Sequence, residues 1–134
     1  MLHRHALLLA ILPIFGTSAC SKAPPLPTAI ARFCAEVLHG DIAQSHERFN
    51  DGDVVYAGVP TRRILGYQVS GDTAAIWYEH GGRAPHQHLI RFSVASPSQI
   101  LAEYRFAKAP DSSISGLLAN AAFLEPTLTP NGER

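Results

Sequence analysis

The apolar positions of this chain change period three times. Residues 6–15 form an unbroken apolar run, interrupted in kind only by Pro13. After Thr28 the apolar residues fall at Ile30, Phe33, Cys34, Val37 and Leu38, positions i, i+3, i+4, i+7 and i+8 of one helical face. Gly40 supplies a helix stop. Asp41 then opens a second, shorter helix in capping-box fashion, with Gln44 reaching back and Ile42, His46 and Phe49 along one side. Turn residues at 50–53 end it.

From Val54 onward the period is two. Residues 54–59 read as an edge strand closed by Pro60. Residues 63–70 place Leu65, Tyr67 and Val69 on one face, and Gly71-Asp72 turns the chain tightly into residues 73–80. Residues 87–94 put Ile90, Phe92 and Val94 on one face. Residues 99–107 alternate Ile100, Ala102, Tyr104 and Phe106 with Leu101, Glu103 and Arg105. Consecutive strands joined by short connections predict an antiparallel meander. The expected fold is therefore α+β: two N-terminal helices packed on one face of a curved four- to five-stranded antiparallel sheet. A last apolar stripe, Ile114, Leu117, Leu118, Ala121, Phe123 and Leu124, suggests a short C-terminal helix that docks on the domain or meets a partner. Residues 125–134 carry two prolines and a glycine and read as a disordered end.

The opening apolar run changes the picture most. Arg4 with His3 and His5 precedes it, small residues follow, and Cys20 comes next, the order of a secretion signal. Ten residues span about 15 Å as helix, half of a bilayer's hydrocarbon, so the run is not a transmembrane anchor. Residues 1–19 are read as a signal peptide. Residues 20–27, with Pro24, Pro25 and Pro27, form an extended tether. The α+β domain covers 28–108 and a partly helical segment covers 109–134.

Thr17-Ser18-Ala19-Cys20 resembles a bacterial lipobox, with Thr17 where that family prefers Leu. The resemblance implies a diacylglyceryl thioether on Cys20 and cleavage before it. Two acyl chains give stable attachment to an inner or outer membrane facing the periplasm. The alternative is ordinary cleavage after Ala19 and a soluble periplasmic or secreted protein. Cysteine chemistry follows from that choice. An acylated Cys20 leaves Cys34 as a buried thiol on a helical face, whereas an unmodified Cys20 could pair with it in an oxidising compartment.

Composition excludes more than it assigns. The chain is 46% hydrophobic and 16% charged, a globular balance, with 11 basic and 11 acidic residues. Removing residues 1–19 takes away only Arg4, leaving 10 basic against 11 acidic. A phosphate-neutralising surface needs a clear basic excess, so nucleic acid is not an expected partner. No phosphate-binding glycine loop and no Ser-His-Asp arrangement is readable.

The order of elements and residues 31–50 resemble the nuclear transport factor 2-like superfamily of cystatin-like α+β domains. Phe33, Gly40, Asp41 and Phe49 match its rhythm of an aromatic helix, a Gly-Asp step and a second helix ending at Phe. The similarity covers about 80 residues of pattern. Some members are ketosteroid-isomerase-like enzymes with an acid and a tyrosine in a cone-shaped pocket, but fold likeness does not carry that chemistry over. Of the acids in the meander, Asp72 lies in a turn, Glu79 beside one, and Glu103 opposite Tyr104. No acid is expected inside the apolar face, so no catalytic residue is assigned and no cofactor is expected.

Two weaker constellations remain. Tyr67, His88, Phe92 and Tyr104 are candidates for lining a small-molecule pocket on the concave sheet. His86 and His88 share a strand face and His80 can come opposite them, a candidate zinc or copper site without any known metal-ligand spacing. Arg62 and Arg63 read as a solvated basic pair, and Trp77 as packed under a covering segment. The function expected is a non-enzymatic envelope protein, lipid-anchored, that binds another envelope protein or plays a structural part. Inhibitor or immunity proteins belong to this class.

Overall fold

A computed structural model of the chain describes residues 24–110, 112–121 and 126–127. The signal segment, Cys20, Phe123, Leu124 and the terminal residues 128–134 lie outside the described residues. The elements are α1 (Thr28–Glu36), β1 (Arg62–Ser70), β2 (Thr73–His80), β3 (His86–Ser93), β4 (Ile100–Phe106) and α2 (Ile114–Ala121). The four strands form one antiparallel sheet in the order β1-β2-β3-β4, the meander that the alternation predicts.

The helices do not share a face. α1, with Leu38 just beyond its end, presses Ile30, Phe33 and Cys34 onto Ile64, Ala74, Ile76, Ile90 and Phe92. α2 covers the reverse side, where Leu117 and Ala121 pack with Ala75, Trp77, Leu89, Ala102 and Tyr104. The result is helix, sheet, helix, in place of two helices on one side. Burying both faces removes the polar face that a half-exposed strand would show, and β2 has five consecutive buried residues, Ala74 to Tyr78.

Two bulges set which residue faces which helix. In β1 the register slips between Ile64 and Gly66, so Ile64 and Tyr67 face α1 while Leu65 faces α2. In β4 it slips opposite Arg91 and Phe92: Ile100 pairs with Phe92 and packs towards α1, but Ala102 and Tyr104 pack towards α2. The single faces expected for Leu65 with Tyr67 and for Ile100 with Tyr104 are both corrected by these slips.

The helix expected over 41–49 does not form. Asp41 spends its carboxylate on a distant segment, accepting from the Thr61 amide at 2.8 Å, the Thr61 hydroxyl at 2.5 Å and Arg62 at 2.6 Å. Ala43 then bridges in parallel to Arg63 on the open edge of β1, with amide–carbonyl bonds of 2.9 Å to Arg62 and from Ile64. Only a single turn survives, in which the Gln44 amide donates to Glu47 at 2.8 Å. Long-range pairing has displaced local helix propensity.

Residues 54–59 are likewise a loop and not an edge strand. Asn50, 5% exposed, holds it from within. The Asn50 carboxamide donates to the Val59 carbonyl at 2.6 Å and accepts from the Tyr56 amide at 3.2 Å, and its own amide donates to Pro60 at 2.8 Å. These bonds satisfy the backbone groups that a strand would have paired. The β2–β3 turn closes over this staple. A β-carbon on Gly81 would stand 1.8 Å from the Asn50 carbonyl oxygen, so only glycine allows the approach.

Candidate functional site

The chemistry-bearing side chains collect at one end of the α1 face, where β2 turns into β3. Strand pairing puts His80 beside His86 and Tyr78 beside His88, and His88 beside Arg105 of β4. The His80 and His86 rings stack at 5.3 Å between centroids, and the His86 and His88 rings lie 4.7 Å apart, tilted by 51°. Tyr78 stacks on His88 at 4.9 Å, nearly parallel. Each imidazole has its Nδ1 against an oxygen: His80 on the Gly81 carbonyl at 2.8 Å, His86 on the Ala84 carbonyl at 2.7 Å, and His88 on Glu103 at 2.6 Å. The three histidines do assemble as the strand register suggested. Among the described residues, however, no group of three or more His, Cys, Asp or Glu is disposed to hold a metal ion.

The centre of this end is the buried pair His88 and Glu103, 5% and 7% exposed. Both belong to the α1 face because Glu103 pairs across from Ile90. The expectation that no acid enters the apolar face is thus overturned. The hydrogen bond from His88 holds the Glu103 carboxyl below the usual carboxylate range against the opposing effect of burial, with Arg105 and His86 adding positive potential. Tyr78 answers on the other side. Burial first, then the neighbouring Glu103 charge, push its phenol up to about 12, although Arg62 hydrogen-bonds to it and lowers it in part. Arg62 in turn pairs with Asp41 at 2.6 Å. The chain Asp41–Arg62–Tyr78 and the pair His88–Glu103 seal the polar end of the core. His88 and Glu103 are buried and hydrogen-bonded to each other beneath the Tyr78 ring, while Arg62 and Asp41 at the edge stay partly exposed.

The four candidate pocket residues do not converge. Phe92 is fully buried with its ring stacked on Phe33 at 4.0 Å, so α1 fills the space over this face of the sheet. His88 is engaged by Glu103. Tyr104 is buried on the opposite side of the sheet with Trp77 and Leu89. Tyr67 alone borders open space, a cavity of about 100 Å³ shared with Pro24, Leu26 and His46. A larger cleft of about 290 Å³ lies under α2 at the β1–β2 turn, lined by Gln68, Thr73, Arg91 and Leu118 among others, none of them a predicted site residue.

Other expectations resolve simply. Trp77 is buried beneath α2, with its indole N–H donating to Gln87 at 3.3 Å. Arg62 and Arg63 are not a free basic pair: Arg62 is bound to Asp41, and Arg63 pairs with Glu79 at 2.6 Å while its guanidinium lies 4.3 Å from the Phe49 ring. Cys34 is a free, buried thiol, pushed up to about 11 by burial. No thiolate forms near neutral pH to act as a nucleophile.

Sequence reasoning missed Glu103, Tyr78, Arg62 and Asp41 as one network. The signal lay in the pairing of β3 with β4, where Ile90 opposite Glu103 forces the acid to the α1 face. It missed also the stapled loop that carries the most exposed large apolar residues of the described structure, Val54 at 61%, Val55 at 70% and Tyr56 at 54%. Comparison with protein families, curated proteins and solved structures finds no match to this chain.

Proposed function

We propose that this chain is an exported envelope protein, anchored through a lipid on Cys20, whose domain works by surface contact with another envelope protein or as a structural element, and not as an enzyme. The observation that supports this reading most is the closed interior. Phe33 stacked on Phe92 fills the space between α1 and the sheet, and the buried histidine is engaged by Glu103, which favours a role at the surface. The lipobox-like Thr17-Ser18-Ala19-Cys20 and the proline tether after it favour a membrane-held domain in the periplasm. None of the described helices is long and apolar enough to cross a membrane, so attachment in this reading depends on the lipid.

Two experiments test it. Cys20→Ala is expected to abolish labelling by a fatty-acid analogue and to release the protein into the soluble fraction; retained labelling overturns the assignment of the site. Cross-linking in intact envelopes, followed by denaturing purification of the tagged chain, is expected to return a specific envelope protein. Recovery of the uncross-linked chain alone overturns the partner reading.

A further inference from the structure

We propose that Val54, Val55 and Tyr56 form a second membrane contact, a rigid loop tip that dips into the lipid surface to which Cys20 is anchored. The proposal rests on the lipid-anchor reading and adds to it an orientation of the domain.

Three observations carry it. First, the tip is apolar, exposed and held in shape. Val54, Val55 and Tyr56 stand outward, while the buried Asn50 ties the Tyr56 amide and the Val59 carbonyl together beneath them. A loop already fixed in its exposed form pays little ordering entropy on contact. Second, the residue types suit a bilayer boundary. Two branched aliphatic side chains enter the acyl edge, and a tyrosine sits at headgroup level with its ring apolar and its hydroxyl wet. Arg48, 5.7 Å from the Tyr56 ring, stands beside it at the level of lipid phosphates. Third, the tether emerges beside the segment that leads into the loop. Pro24 borders the same cavity as Gln44, Ser45 and His46, the segment that leads into the loop. Only three residues lie between Cys20 and Pro24, a reach of at most about 14 Å of chain. So short a leash holds Pro24, and with it the segment 44–46, close to the bilayer, within reach of an orientation in which the tip touches it.

Charge selects the kind of surface. Asp51 and Asp53 border the tip and are exposed, so an anionic surface is opposed and a zwitterionic one is favoured. Since two acyl chains already suffice for retention, the tip governs how the domain stands on the membrane and not whether it stays there.

The test uses the acylated mature chain on phosphatidylcholine vesicles, with an environment-sensitive fluorophore on Val55→Cys and, as control, on Asp72→Cys at the far turn of the sheet. The buried Cys34 thiol does not compete for the label. The result expected is a blue-shifted probe at 55, quenched several-fold more by lipid-borne nitroxide than the probe at 72. Replacing a third of the lipid by phosphatidylglycerol at low salt reduces that difference. Val54→Asp with Tyr56→Ser abolishes it, with flotation and thermal stability unchanged because both side chains are exposed. Equal, water-like signals at 55 and 72 on floating vesicles overturn the tip and leave the anchor standing. A shift at 55 that appears only when purified envelope proteins are added overturns it in favour of a protein partner. Failure to float, with Cys20 taking up the thiol label, overturns the anchor reading itself.

Discussion

The two faces of the sheet are closed in different ways. Under α2 the packed centre is apolar, with Trp77, Leu89, Tyr104 and Leu117 in contact; Gln87 accepts from the Trp77 indole and from the Ala109 amide at 3.1 Å, and the half-buried Arg63–Glu79 pair lies in register beside it. Under α1 an apolar centre of Ile30, Phe33, Ile76 and Phe92 gives way at one end to His88, Glu103, Tyr78 and Arg62. The first face depends chiefly on shape and area. The second depends also on protonation, because its polar groups are stable only in particular charge states. The same four strands thus carry a buried ionisable pair, His88–Glu103, on one face and only a partly exposed one, Arg63–Glu79, on the other.

The largest effects test whether the two layers are independent. Phe33→Ala removes a fully buried ring stacked at 4.0 Å and is expected to cost about 4 kcal/mol, at the middle of the range for such truncations. Leu117→Ala, also fully buried, is expected to cost about 3 kcal/mol. Because a whole sheet separates the sites, the double variant should equal the sum to within about 0.5 kcal/mol in urea titrations. A coupling well beyond that would show that the helices grip one shared core through the sheet, and the division into two layers would be lost.

How far this division could be read from sequence depends on the element. β2 was legible to the residue, since the alternation starts after a Gly-Asp turn whose Gly71 takes a φ of 56°. α1 was legible from the spacing of Ile30, Phe33, Cys34 and Leu38, although it ends at Glu36, before Val37 and well before the Gly40 stop. The side on which each helix lies was not legible. Both faces of the strands are apolar, so the stripe of α2 fits either one, and the bulges at Leu65 and Leu101 exchange faces within a strand without leaving a composition signal. The region 41–60 was misread because its local signals are genuine but outcompeted. Asp41 has cap chemistry and uses it on Thr61 and Arg62, and Asn50 has turn chemistry and uses it on residues six and nine ahead. Of the site, the histidine cluster was visible from i, i+2 spacing. Its buried acid was not, because that needs the register of β4 against β3.

A smaller effect sharpens the electrostatic half of the comparison. The Glu103 carboxyl is held below its ordinary value by His88, so its contribution to stability is fully present above about pH 4.5 and is lost as pH falls through its folded value. Glu103→Gln keeps the size and one acceptor but removes the charge, and should cost about 1 kcal/mol at pH 7, the difference between a charge-assisted and a neutral hydrogen bond. Chemical denaturation between pH 7 and pH 3 should show the gap between wild type and variant closing on the acid side. A constant gap across that range would mean that the carboxylate charge contributes nothing to folding. Leu117→Ala, on the apolar face, should keep its full cost at every pH in the same series.

The remaining effect lies at the alkaline end, outside the ordinary working range, and also belongs to the α1 face. The Cys34 thiol is raised from 9.0 to about 11 and the Tyr78 phenol from 10.0 to about 12, each chiefly by burial. For acids raised in this way the folded state favours the neutral form. Stability is intact below the unfolded values and falls as pH rises, first between about pH 9 and 11 for Cys34 and then between about pH 10 and 12 for Tyr78. Cys34→Ala should remove the first part of this alkaline slope, and Tyr78→Phe the second, while each lowers stability modestly at neutral pH through a lost contact or the lost Arg62 hydrogen bond. Measured by circular dichroism at fixed urea, the two variants together should flatten the curve up to about pH 11. If the slope persists unchanged in the double variant, the pH sensitivity lies outside this face, and the contrast between the two sides of the sheet is one of shape only.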